Sequence, residues 1–242
     1  MLRIAYCVLR KYTNTQYAIR NTQYEIMPIT AALFDLDDTI YPASSGLMKS
    51  IDVRISEYVK NLLGLNEQEA LRLRKKYYVE YGTTLHGLQR HHAVDAEHYL
   101  DYVHDIAIES FLASDAELDH LLSRLQATKA IFTNSPSGYA RRVLHVLGIE
   151  RHFAHIFDIR FSGFQPKPDP AVYQSVLDAL NVEGRVALLV EDTAKNLAPA
   201  RALGMTTILI GEPGSDTSTL ADYVMPDVLA AIRVALELEQ QS

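Results

Sequence analysis

The chain has 242 residues, 23 basic against 30 acidic, a net charge of −7, and its length suits about 1.6 domains, one large core with a smaller insertion. Its 48% hydrophobic and 22% charged residues are ordinary for a globular protein, and its single cysteine, Cys7, excludes an intramolecular disulfide and a cysteine metal cluster. The acidic balance argues against a nucleic-acid polymer or an anionic membrane as partner, no apolar run approaches the ~20 residues of a membrane span, and a cytoplasmic location is expected.

Residues 1–30 differ from the rest. They carry four basic residues against Glu25, a net of +3, which leaves −10 for the remainder. Asn14-Thr15-Gln16-Tyr17-Ala18-Ile19 is echoed by Asn21-Thr22-Gln23-Tyr24-Glu25-Ile26, with no apolar seam for a coiled coil. No clean apolar stretch with a cleavage site marks a signal peptide; a transit peptide is the lesser alternative. Residues 1–26 are expected to be a dispensable leader, with the working fold starting at Met27-Pro28.

From there, Ala31-Ala32-Leu33-Phe34 is a short apolar run of the kind that forms a parallel strand buried on both faces. Residues 44–112 then lack any strand pattern. Leu47, Met48, Ile51, Ile55, Tyr58, Val59 and Leu62 form a helical stripe. Asn66 with Glu69 makes a capping box for a second helix, to about Tyr81, and Asp95 opens a third, through Ile106. Beyond them Ser114 and Glu117 read as another capping box. Strand runs at 129–132, 156–159, 186–190 and 206–210 alternate with helices at 138–147, 170–180 and 195–203. This alternation predicts an α/β, doubly wound (Rossmann-like) parallel sheet. The core comprises 27–43 and 113–242, and 44–112 is an all-helical cap over the carboxyl ends of the strands, where such sheets bind ligands.

Those strand ends carry the chemistry. Asp35-Leu36-Asp37-Asp38-Thr39 sets carboxylates where the first strand stops. In a straight strand Asp35 and Asp37 would point the same way, which is costly unless a cation or a proton intervenes; turn chemistry is the plainer alternative. Thr133-Asn134-Ser135 follows the second run and offers groups to an anion or a helix cap. Lys167 is stiffened between Pro166 and Pro168, and Glu191-Asp192-Thr193 adds two acids at another strand end, where an N-cap is again the plainer use. One coherent use joins the set: a carboxylate attacks phosphorus, Mg²⁺ and a lysine cancel charge, and a second carboxyl moves the proton.

The order DxDxT, Thr-Asn, Lys in a KPDP setting, then Glu-Asp resembles the haloacid dehalogenase superfamily over residues 29–240. The resemblance implies a Mg²⁺-dependent phosphatase. It implies Asp35 as nucleophile and metal ligand, and Asp37 as general acid/base, with its backbone carbonyl also on the metal. It also implies Thr133, Asn134 and Lys167 as phosphate binders, Asp192 as metal ligand, and Glu191 as a second acid acting through water, where many members carry aspartate. The second Asp of the first motif argues against a true dehalogenase, which has no leaving group to protonate.

DLDDTIYPASSGL, YGTTLHGL and DAEHYLDYVHDI further resemble the pyrimidine 5′-nucleotidase group, which implies UMP- or CMP-like substrates. Candidate specificity residues in and beside the cap are Tyr41, Ser44, Ser45, Tyr81, Thr83 and His86. Tyr77, Tyr78 and Tyr81 at helical spacing also fit simple packing. His91 and His92 read as surface residues, since neighbours about 100° apart on a helix do not readily share a metal. Sugar phosphates or other small phosphoesters are the alternative substrates; a non-catalytic phosphate-binding protein is the alternative of another class.

Overall fold

The structure, a computed structural model, describes residues 28–212 and 221–240; the expected leader and Cys7 lie outside the described residues. The strands are β1 (Ala31–Phe34), β2 (Thr128–Phe132), β3 (His155–Phe157), β4 (Ala187–Glu191), β5 (Thr206–Ile210) and β6 (Tyr223–Met225). They form one parallel sheet in the order β3-β2-β1-β4-β5-β6. The chain winds outward from β1 through β2 to β3, then returns to the other side of β1 as β4. The strand order therefore reverses between β1 and β4, the point at which doubly wound sheets bind ligands. The register sets Phe34 beside Ile131 and Val190, so the carboxyl ends of β1, β2 and β4 come out side by side.

Alternation along the strands sorts the core. Ala32 and Phe34 face α5 (Ala116–Arg124), α6 (Ser137–Leu147) and α9 (Val228–Glu239). Ala31 and Leu33 face α7 (Pro170–Leu180) and α8 (Ala194–Ala202). Both faces are covered, which is why β1 reads as an unbroken apolar run.

Four helices lie between β1 and α5: α1 (Leu47–Leu63), α2 (Glu67–Tyr81), α3 (Thr84–His92) and α4 (Ala96–His104). They build an apolar cluster around Val59, Ala70, Tyr77, Leu88 and Leu100, which Ile159 and Phe164 from the segment after β3 join. α1 bridges two clusters: Leu47 and Ile51 pack with the sheet, Tyr58 and Val59 with the inserted helices. Leu62, expected on the buried stripe, is 43% exposed. The chain turns at Gly64, and Leu63 and Leu65 take the inward positions instead.

The helix ends refine the expected boundaries. The Asn66–Glu69 capping box is present. α5 is capped by Asp115 rather than Ser114. The Asp115 carboxylate accepts the Glu117 and Leu118 N–H groups at 3.0 and 2.9 Å, and an ionised oxygen is the stronger acceptor there. α4 stops at His104, two residues before Ile106. Asp169 caps α7 with Pro170 as its first residue. Gly148 closes α6 at φ 76°, a conformation costly for a residue with a Cβ. Among the described residues, no helix is long and apolar enough to cross a membrane.

Candidate active site

The Asp35 N–H donates to the Val190 carbonyl at 2.9 Å, so Asp35 continues the β1–β4 ladder one step past Phe34. The chain then turns: the Thr39 and Ile40 N–H groups return to the Leu36 carbonyl, and Asp38 adopts φ 57°. This turn separates the two acids expected to point together. Asp35 faces the lysine and the other strand-end acids. Asp37 faces a cradle of hydroxyls: Tyr41 at 2.5 Å and Tyr139 at 2.9 Å on Oδ1, and Ser135 at 2.6 Å on Oδ2. The straight-strand geometry fails because the strand has already ended at Phe34.

Lys167 is 2% exposed and donates from Nζ to Asp35 Oδ1 at 2.7 Å, Glu191 Oε2 at 2.7 Å and the Phe132 carbonyl at 2.8 Å. Its loop is fixed by Asn134. The Lys167 N–H donates to Asn134 Oδ1 at 2.8 Å, and Asn134 Nδ2 donates to the Lys167 carbonyl at 3.3 Å. Asn134 therefore spends its amide on the lysine loop. Thr133 is buried at the end of β2, and its Oγ1 accepts the Ser135 N–H at 3.0 Å.

Glu191, at the end of β4, gives Oε2 to Lys167 and Oε1 to the Thr193 N–H at 3.2 Å. Its contact with the lysine is direct. Asp35, Glu191 and Asp192 each bring one carboxylate oxygen within 4.8 Å of the others. Burial and the nearby Glu191 push the Asp35 carboxyl up to about 7, although Lys167 opposes the shift. Burial, then Asp35, pushes Asp192 up to about 6. Burial likewise raises Glu191, again against Lys167. On Lys167 itself burial works against the charge, but the two carboxylates outweigh it and raise the ammonium pKa.

With all three carboxylates ionised, one ammonium leaves two negative charges uncompensated around buried Asp35 and Glu191 and half-buried Asp192, a costly state unless a cation or a proton intervenes. An all-oxygen donor set with that surplus fits a hard divalent ion such as Mg²⁺. Asp38 adds a buried Oδ1 with no hydrogen-bond partner, and burial followed by Asp37 pushes its carboxyl up to about 6.

The expected specificity residues separate. Tyr41 is 1% exposed, and its hydroxyl is engaged by Asp37 and, at 3.1 Å, by Tyr139. Ser44 and Ser45 line a cleft of ≈ 410 Å³ with Phe111, Ser114 and Leu147, and none of the three clustered carboxylates lines it. Ser45 Oγ also accepts the Leu47 N–H. Thr83 caps α3 by accepting the His86 N–H at 3.1 Å. Tyr81 and His86 line a second cleft of ≈ 420 Å³ with Arg90, Pro166, Pro168 and Lys195, beside the Lys167 loop. Gly82 makes this approach possible: a Cβ there would sit 3.2 Å from Pro166 Cγ and 3.3 Å from the Lys167 carbonyl, at φ +82°. Tyr77 is buried, while Tyr78 is 46% exposed with Lys195 Nζ 3.9 Å from its ring centroid. His91 and His92 are exposed and hydrogen-bond the Tyr81 and Tyr77 hydroxyls.

Sequence reasoning missed the Ser135 side chain, Tyr139 and Lys195. Ser135 belongs to the Thr133-Asn134-Ser135 run, but nothing in that run points its hydroxyl at Asp37. Nothing local distinguishes Tyr139 from any helical tyrosine.

A model of the haloacid dehalogenase-like hydrolase family matches residues 29–204. The chain belongs to this family. This hydrolase is 28% identical over 191 residues to phosphate metabolism protein 8 of Saccharomyces cerevisiae, covering 73% of the chain and 60% of the yeast protein. It is 29% identical over 216 residues to phosphoglycolate phosphatase of Rhodospirillum rubrum, covering 80% and 86% of the two chains. The crystal structure of a HAD phosphatase from Thermococcus onnurineus superposes with a TM-score of 0.59 at 21% identity, over 85% of this hydrolase and 97% of that chain, and shares its fold.

Proposed function

We propose that the chain is a metal-dependent phosphomonoester hydrolase that works through an aspartyl phosphate on Asp35. The observation that carries this reading is the buried triangle of Asp35, Lys167 and Glu191 beside Asp192. Asp35 attacks phosphorus, and the ester oxygen leaves with a proton from Asp37. Asp37 then takes a proton from water, whose oxygen attacks the phosphoryl group, freeing phosphate and Asp35. Lys167 holds the Asp35 carboxylate and meets the charge of the incoming phosphate, and Glu191 aims it. Thr133 and Asn134 border the phosphate position, Asn134 by fixing the lysine loop. Mg²⁺, held by Asp35, Asp192 and the Asp37 backbone carbonyl, would supply the charge cancellation that lets one anion approach another.

Residues 44–112 act as a helical cap in this reading, excluding water from the site. Their apolar cluster, distinct from the two that flank the sheet, supports it. The sequence pattern favours pyrimidine nucleoside 5′-monophosphates, with Tyr81 and His86 in the cleft beside the lysine loop as the contacts to the leaving group. The phosphoglycolate phosphatase relative favours a second reading, a smaller phosphoester. A substrate panel with Mg²⁺ decides between them. UMP and CMP should rank above phosphoglycolate and the sugar phosphates; the reverse order rejects the nucleotide reading and keeps the chemistry.

A further inference from the structure

We infer that Tyr41 and Tyr139, with Ser135, are positioning residues that hold the Asp37 carboxyl in the place from which it serves the leaving group. The inference rests on the reading of Asp37 as general acid/base and goes beyond it, because it assigns a task to three side chains outside the phosphate and metal set.

Both Asp37 oxygens are occupied. Tyr41 and Tyr139 donate to Oδ1, Ser135 donates to Oδ2, and the two tyrosine hydroxyls lie 3.1 Å apart. Tyr41 and Tyr139 are 1% and 3% exposed, so their hydroxyls have been taken out of water to meet this one group. A buried tyrosine needs a partner for its hydroxyl, and packing alone would have been served by phenylalanine. The partner types also fit the task. A hydroxyl donates to a carboxylate and, after rotation, accepts from a carboxylic acid, so one cradle holds the group before and after it passes a proton.

The cradle sits where both connections to the inserted helices meet the sheet. Tyr41 lies on the outgoing connection, between β1 and α1. Tyr139 lies on α6, and its ring centroid is 4.7 Å from that of buried His104, the last residue of α4. One turn along α6, Arg142 donates to the His104 carbonyl at 3.3 Å and to the Ile106 carbonyl at 2.5 Å, fixing the return connection. The two tyrosines are therefore anchored from opposite sides and converge on one oxygen. Such convergence restricts a carboxyl that would otherwise sweep several rotamers.

The test reads leaving-group dependence. A general acid matters most when the departing oxygen is a poor leaving group, so kcat/KM is measured on an alkyl phosphate and on 4-nitrophenyl phosphate. Asp37→Asn should lower kcat/KM on the alkyl ester by about 10²-fold or more, and far less on the aryl ester. Tyr41→Phe, Tyr139→Phe and Ser135→Ala should move in the same direction, each by about tenfold on the alkyl ester. Thermal melts of each variant identify any that fails to fold, and three independent variants keep the inference exposed. If Asp37→Asn shows the selective loss but the folded cradle variants slow both esters equally, or neither, the positioning role is wrong. If Asp37→Asn itself shows no selectivity, the general-acid reading on which the inference rests is what fails.

Discussion

The Lys167 ammonium meets the Glu191 carboxylate at 2.7 Å, with the two side chains 2% and 1% exposed. This contact joins a proline-flanked loop to the end of β4 and turns the lysine toward Asp35, which it also reaches at 2.7 Å. Glu191 carries a longer side chain than aspartate, and it spans from β4 to the lysine without an intermediary.

Removing the lysine would strand two buried carboxylates. Lys167→Met should therefore cost about 3–5 kcal/mol in urea unfolding, the range for breaking a buried pair by deleting one partner. It should also abolish phosphate release. Adding Glu191→Gln should restore part of the stability, because one stranded charge is then removed, while activity stays lost. Equal stability of the single and double variants would contradict the pairing.

The surplus of negative charge predicts a stabilising divalent cation. Mg²⁺ should raise the thermal midpoint, by an amount equivalent to about 2.7 kcal/mol when present at 100 times its dissociation constant. Asp192→Asn should weaken that response, as it removes one of the three clustered carboxylates. An unchanged midpoint on titration with Mg²⁺ would argue against the site.

Away from the site, Asp158 gives a pH-dependent contribution. Burial alone would raise its carboxyl, but N–H donors from Phe161 and Ser137 outweigh that and hold it below the usual carboxylate range. The Ser137 N–H, at 2.8 Å, belongs to the first residue of α6. A carboxyl depressed in the folded state stabilises above its unfolded pKa, and that contribution is lost as pH falls through the depressed value. Asp158→Asn should therefore be destabilised by about 1 kcal/mol at neutral pH, and the gap should close in acid. A gap that is constant from neutral to acid pH would contradict this.

Much of the frame was legible because it is local. The apolar run of β1 ending in Asp35, the Asn66 capping box and the prolines around Lys167 each announce themselves within a few residues. The fold class follows from their alternation. β6 and α9 were not anticipated: three residues, Tyr223–Met225, carry too little periodicity to stand out. The Asp115 cap is not legible because the box pattern points to Ser114 with Glu117, whereas Asp115 has Leu118 three residues on. The Asp37 cradle was illegible for a different reason. Ser135 and Tyr139 lie 98 and 102 residues from Asp37 in sequence, and only the sheet order brings them together. Tyr41 is visible in the motif, but its direction is not; its hydroxyl turns to Asp37.

The central claim is that Asp35 is the attacking group. Phosphate release from the best substrate of the panel, with Mg²⁺, compared between the wild-type chain and Asp35→Asn, tests it most directly. The account predicts steady release by the wild type and none above background for the folded variant. Equal release by both, or no release by the wild type with any divalent metal, would contradict it.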